Sequence, residues 1–416
     1  MGYLLFAFYL FLFSWLVTKT GFFVKSGLST KQLLFIFLLK VLVGVLYGGI
    51  GIYFGTKLQM MDTWYFHYKG LNEYQLLQSH PVDFFTSFFH NPFQEGYSNF
   101  LNSKYSWWNE AKYILFNKLL AIFDLFSLGN YYTNVIFYSF ITLFGPIALY
   151  RILKDIFPNS EKILQLGVFF IPSFIFWNSG IHKDGLIFLS FALLSYHLYF
   201  GFKEGKFTWQ RLFYIILALL LLILRSFVLI VLLPALVAWV IAHKSRLRPL
   251  LVFVTIYLLF ISLFFTSHLI FPKVNLMQAV SARQQEFMVL HGNSSVKVHP
   301  LEPTFLGFIR NTPQALTLTI LRPYPSDAHH SFSLIACVET ILILLLFILF
   351  LFYRKKEKAT STFLIYSLFL SFSMLLMIGY TVNILGAIVR YRSITLPFLI
   401  APMIAMIDWK KIIHIR

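Results

Sequence analysis

Three ionisable side chains, His182, Lys183 and Asp184, stand side by side in the run FWNSGIHKDGLIF, between two strongly apolar stretches. An acid at the start of a helix complements the helix dipole and caps exposed N–H groups, which gives Asp184 a purely structural reading. Cations are disfavoured at that end, so Lys183 and His182 need another reason. Basic groups beside free backbone N–H groups form an anion site.

Other ionisable residues mark the ends of apolar runs. Arg225 lies in LLILRSFVLIV with almost no loop around it, and Arg390 and Arg392 stand in GAIVRYRSITLPF. Arg322, Asp327, His329 and His330 fall in LRPYPSDAHHSFS. Taken singly, each Arg reads as a snorkelling anchor. Taken together, the clusters favour an anionic ligand. In MMDTWYFHYKG, Asp62 is followed by Trp64, Tyr65, His67 and Tyr68. A carboxylate in a partly apolar wall can serve as a base, and neighbouring aromatic rings suit a sugar. The plainer reading is an interfacial aromatic belt with a solvated acid. Glu339 and Lys40 sit inside apolar runs, where an ionisable group is a functional candidate by default. For Lys40 the alternative is snorkelling.

The elements that must hold these residues are helices in a membrane. The chain has 416 residues, 58% of them hydrophobic and only 12% charged, with a mean hydropathy of +0.74. A soluble domain carries about 25% charged residues. Apolar runs at 3–17, 32–54, 132–150, 163–178, 184–202, 212–224, 226–243, 249–270, 332–352, 360–380 and 392–408 make about eleven candidate spans. The expected fold is therefore all-α, a polytopic integral membrane protein forming one transmembrane domain over 1–416. The N-terminal run lacks a basic leader and a cleavage site, so it reads as a retained helix.

More than half of the 34 Lys and Arg fall in six short segments: TKTGFFVKSGLSTK, RILKDIFPNSEK, FKEGKFTWQR, HKSRLR, YRKKEK and the tail DWKKIIHIR. These alternate with poorly charged connections. The assignment that satisfies all six puts the N-terminus outside and the C-terminus in the cytoplasm of a bacterial-type inner membrane. Two long segments, 55–131 and 271–331, are then outer loops. Amphipathic interfacial helices are expected in them, with 112–128 as an alternative span.

The net charge of +18 has a topological explanation and does not call for nucleic acid. The single cysteine, Cys337, excludes a disulfide framework and a cysteine metal site. No nucleotide-binding loop or zinc-protease motif occurs in a usable context, so neither cofactor nor metal is expected.

The order of these features resembles the GT-C glycosyltransferases of bacterial envelopes. DTWYFH looks like their acidic first-loop motif, and VRYRSITLPFLI is similar to an Arg-Tyr-Arg-Leu-Pro stretch near their ends. Here the acidic loop follows two spans rather than one, and Asp62 stands without a paired acid. The large late outer loop, 271–331, with its Arg and His, also resembles that of bacterial polysaccharide polymerases. The resemblance implies a polyprenyl-phosphate-linked sugar as partner, at the outer face of the membrane. It implies Asp62 as the base, Arg and Lys side chains holding the phosphate, and His182, Lys183 and Asp184 as part of that clamp; the residues themselves add His67, Arg225, Arg322, His329, Arg390 and Arg392 as candidate substrate-binding residues. A transporter or flippase for an anionic or lipid-linked substrate is the reading from a different class.

Overall fold

A computed structural model describes residues 2–89, 107–270, 275–290, 292–355 and 361–413. Parts of both expected outer loops, the end of YRKKEK and the last three residues lie outside the described residues. The described chain is helical throughout, with two isolated bridges, Ser295–Ile384 and Arg354–Ile407, and no strand. Eight helices are long and apolar enough to cross a membrane: Gly2–Lys19, Thr30–Leu58, Tyr131–Ile156, Lys183–Glu204, Phe227–Lys244, Pro249–Ile270, Ser331–Tyr353 and Thr362–Thr381. A ninth span is available if Leu385–Ser393 and Leu396–Met406, bent by 63°, are counted as one. This is a multi-pass membrane protein.

Three expected spans take another form. The run 163–178 is two short helices, Glu161–Phe169 and Pro172–Ser179. The run 392–408 contains the bend before Leu396–Met406. Pro172 opens one second half and Pro397 lies at the start of the other, and proline disfavours helical geometry in the residue before it. The run 212–224 gives Trp209–Leu222, whose 14 residues extend only about 21 Å. The 112–128 region forms Trp107–Ser127, which packs against Asp62–Ser79 and is absent from the candidate spans.

The chain divides into two compact units. The first comprises Met1–Leu149, Ile175–Leu198 and Phe207–Ser226. Its spine is Thr30–Leu58, whose sequence GVLYGGIGIYFG places Gly44, Gly48, Gly51 and Gly55 on one face. Small residues at this spacing let apolar helices approach closely. A Cβ on Gly44 would lie 2.6 Å from the Ser179 carbonyl oxygen, and one on Gly51 would lie 2.8 Å from the Trp64 ring. At Gly48 it would run into the Tyr131 ring. In the loop region Lys118 clamps three segments: it pairs with Glu73 at 2.9 Å, donates to the Phe84 carbonyl and Ser87 Oγ, and covers the Phe84 ring.

The second unit comprises Tyr150–Phe174, Tyr199–Lys206 and Phe227–Arg416. Thr362–Thr381 is central to it and packs against Phe305–Leu316, Leu276–Val289 and Leu396–Met406. Trp239 stacks on Tyr366 at 4.4 Å. Basic segments meet at shared ends here. Lys203 pairs with Asp155 at 2.6 Å, and Tyr199 donates to the same carboxylate at 2.7 Å. The Asp408 N–H donates to the Tyr353 carbonyl and the Lys355 N–H to the Met406 carbonyl, at 2.7 and 2.8 Å. The helices ending at 156 and 204 therefore finish together, as do those ending at 353 and 406.

Replacing Gly44 or Gly48 by Leu should separate the spine from its neighbours and abolish the monodisperse peak in detergent size-exclusion chromatography. Gly49→Ala, which meets nothing within 4 Å, should leave it unchanged.

Candidate functional site

The NSGIHKDG turn is buried throughout. His182 and Asp184 are 0% exposed and Lys183 is 8% exposed. The turn is recessed. Ser179 packs at the level of Gly44, and Tyr138, two turns into Tyr131–Ile156, donates its hydroxyl to the His182 carbonyl. Tyr47, eleven residues from the end of Thr30–Leu58 and so about 16 Å along its axis, meets the His182 ring.

Irregular backbone in an apolar interior persists only where its polar groups find partners. The Lys40 ammonium donates to the Asn178 carbonyl, so Lys40, 6% exposed, is a buried anchor and does not snorkel. The Tyr131 hydroxyl bonds the Ile181 backbone and, at 2.7 Å, Thr63 Oγ1. His182 Nε2 and the Tyr47 hydroxyl are 2.6 Å apart. Gly185 is required because a Cβ there would collide with the Tyr138 hydroxyl.

The charged groups gather at the first turn of Lys183–Glu204. Asp184 Oδ1 lies 2.5 Å from Arg225 Nη2, with the Arg225 side chain 21% exposed. Arg225 comes from the short turn Ile223–Arg225, packed against Trp107–Ser127. Lys183 Nζ sits 3.7 Å from the centre of the Tyr113 ring and 5.4 Å from that of Phe66. An ion pair thus lies at the helix start, and the neighbouring Lys183 packs under an aromatic cover. The N-terminal end of a helix dipole, with basic residues near it, suits an anionic group such as a phosphate.

Asp62 is the first residue of its helix and is exposed. The buried face behind it is Thr63, Trp64, Phe66, His67 and Gly70. Trp64 stacks on Tyr131 at 4.3 Å and donates Nε1–H to the Gly48 carbonyl at 2.8 Å, so its ring is already engaged within the protein. Tyr65 and Tyr68 remain exposed. His67 is buried, and desolvation pulls its imidazole down to about 4, which leaves it neutral at pH 7 rather than a phosphate-binding cation.

Arg322, His329, Arg390 and Arg392 belong to the second unit. Arg392 is 2% exposed and donates to the carbonyls of Thr319 and Arg322 at 3.0 and 2.7 Å and to Thr340 Oγ1 at 2.6 Å. Its guanidinium joins three segments of the fold. Arg322 lies over Tyr324 and 3.8 Å from Asp327, while Arg390 is half-buried beside Tyr391. His329 is exposed, and His330 caps Ser331–Tyr353 by accepting from the Ser333 N–H. Glu339 accepts from the Ser173 N–H at 2.6 Å, near the start of Pro172–Ser179. The positioning residues Tyr47, Tyr113, Tyr131 and Tyr138 carry no sequence signal beyond an aromatic among apolar neighbours, except that Tyr47 lies within the glycine stripe.

Arg225→Met should break the ion pair to the buried Asp184 carboxylate and cost about 3–5 kcal/mol in chemical unfolding, with most of it recovered in the Arg225→Met/Asp184→Asn double variant. The folded-state pKa of His67 lies below its unfolded value of 6.5, so its contribution is present above pH 6.5 and lost as pH falls toward 4. The stability difference between wild type and His67→Gln should therefore shrink or reverse between pH 7.5 and pH 4.5, by up to about 3 kcal/mol.

Comparison of the chain with family models, with curated proteins and with solved structures gives no match, so the chemistry of the site rests on the residues themselves.

Proposed function

We propose that this protein is an envelope glycan enzyme that transfers a sugar from a polyprenyl-phosphate-linked donor at the outer face of the membrane. The observation that carries the reading is the Asp184–Arg225 pair at a recessed helix start, with Lys183 next to it in the chain and packed on the Tyr113 and Phe66 rings. Charge-assisted hydrogen bonds from two cations, with the first N–H groups of the helix, stabilise a departing phosphate as its bond to the anomeric carbon breaks. In this scheme the acceptor hydroxyl attacks that carbon and Asp62 takes its proton. Asp184 holds Arg225 in place, and Tyr47 fixes the His182 ring. The donor is a single-sugar carrier or, for a polymerase, a lipid-linked repeat unit. The topology that goes with this places the N-terminus outside, the C-terminus in the cytoplasm, about eleven membrane-embedded helical segments in all, and the helices of 55–131 and 271–331 at the outer interface.

A second reading, transport of an anionic or lipid-linked substrate, is favoured by one observation. Two helices are broken at proline, and discontinuous helices with ends inside the protein are a recurring way to build transport sites.

Asp62→Asn should lower glycan product about 10²–10⁴-fold at normal protein abundance. Lys183→Ala should weaken donor engagement about ten- to a hundredfold, as expected for one lost charge-assisted contact. Product from purified protein and lipid-linked donor is the measurement. Full activity in both variants would remove the transferase assignment. Movement of a labelled phospho-lipid across proteoliposomes, impaired by Lys183→Ala and indifferent to Asp62→Asn, would establish transport instead.

A further inference from the structure

The end of Trp107–Ser127 carries a carboxylate in an unfavourable place. Asp124 lies in its last turn, at the negative end of the helix dipole, and is 0% exposed. Among the described residues it has no ion-pair partner. Asp124 Oδ1 accepts from Asn134 Nδ2 at 2.6 Å and from Ser127 Oγ at 3.4 Å. Its second oxygen, Oδ2, has no partner and faces Gly70, where a Cβ would lie 3.5 Å away and none is present. The amide oxygen of Asn134, which is also 0% exposed, has no donor either. An Asn amide presents nitrogen or oxygen to a neighbour by a half-turn of its side chain, and shape alone does not distinguish the two.

We propose that Asp124, Asn134 and Ser127 form a binding site for a small monovalent cation, sodium or potassium. All the available donors are oxygens, which suits hard cations and excludes the softer transition metals. One carboxylate balances one positive charge, so a monovalent ion leaves the buried site neutral, whereas a divalent ion would leave it charged. The ion takes both carboxylate oxygens and Ser127 Oγ, and Asn134 turns its amide oxygen inward, which removes both unpartnered acceptors. Burial raises the Asp124 carboxyl to about 6 in the ion-free site, so at pH 8 the carboxylate is ionised and in need of a counter-charge. The site sits where Trp107–Ser127 turns into Tyr131–Ile156 through Leu128 and Gly129, both at positive φ. The ion would thereby fix the angle between the helix that carries Tyr113 and the helix that carries Tyr138.

The test is thermal unfolding of the purified full-length protein at pH 8, followed by tryptophan fluorescence, in NaCl, KCl and choline chloride at equal ionic strength. The expected result is a saturable rise in Tm of about 2–4 °C with Na⁺ or K⁺ over choline. Asp124→Asn should lose this response while being at least as stable as wild type in choline. Ser127→Ala should keep the response with a severalfold higher midpoint concentration, and it decides the matter if Asp124→Asn does not fold. Identical wild-type melting in all three salts would overturn the proposal. So would a cation response that survives Asp124→Asn, or stability that follows pH alone, the mark of a proton-only site.

Discussion

A helix that ends inside an apolar interior leaves backbone N–H and carbonyl groups that water cannot reach, and the recessed turn exists because those groups are answered. Pro172–Ser179 has only eight residues, too few to carry both ends to water across a bilayer. The Glu339 carboxylate accepts from Ser173 near its first turn, and the Lys40 ammonium meets the Asn178 carbonyl in its last turn. Anion at the N-terminus and cation at the C-terminus is the arrangement a helix dipole favours. The two most conspicuous intramembrane charges in the sequence thus have structural work to do, which is the plainer alternative to a direct role in chemistry. Within the first unit, the Lys40 bond at Asn178 holds the point from which His182 to Asp184 follow.

The tyrosines complete the same task from the other side. Tyr47 and Tyr138 each meet the turn with a hydroxyl, as does Tyr131. A buried hydroxyl without a partner costs about 1–3 kcal/mol, so each bond is enforced from both ends. The aromatic bodies fill space while the tips supply polarity, which explains why a chain with so few charges can hold a charged turn in its interior.

Much of the helical plan was legible in the sequence because hydropathy reports it directly: runs such as 249–270 and 332–352 match their helices almost to the residue. The broken runs were less legible. Average hydropathy is blind to Pro172 and Pro397, whose effect is on backbone geometry. The site was legible in part. His182, Lys183, Asp184 and Arg225 were conspicuous as charges amid apolar neighbours, and two of the four, Asp184 and Arg225, meet as an ion pair. Arg392 was equally conspicuous and turns out to be a buried joint, because a guanidinium can saturate carbonyls as readily as it can bind phosphate. Asp124 drew no notice, since an acid on an amphipathic helix looks solvated until the packing of that helix is known.

The glycine face of Thr30–Leu58 has a consequence for biosynthesis. Gly44 faces Ser179, Gly48 faces Tyr131 and Gly51 faces Trp64, so the rotational phase of this helix is set by residues that emerge from the ribosome later. At about 5–20 residues per second, the interval between residue 58 and residue 180 lasts roughly 6–25 s. Trp64 and Tyr131 emerge within that interval, but the Gly44 end of the groove stays bare until Ser179 follows. The first half of the chain therefore completes its assembly only when the HKD turn arrives, and a nascent chain stalled before it would present that groove to any neighbouring transmembrane helix.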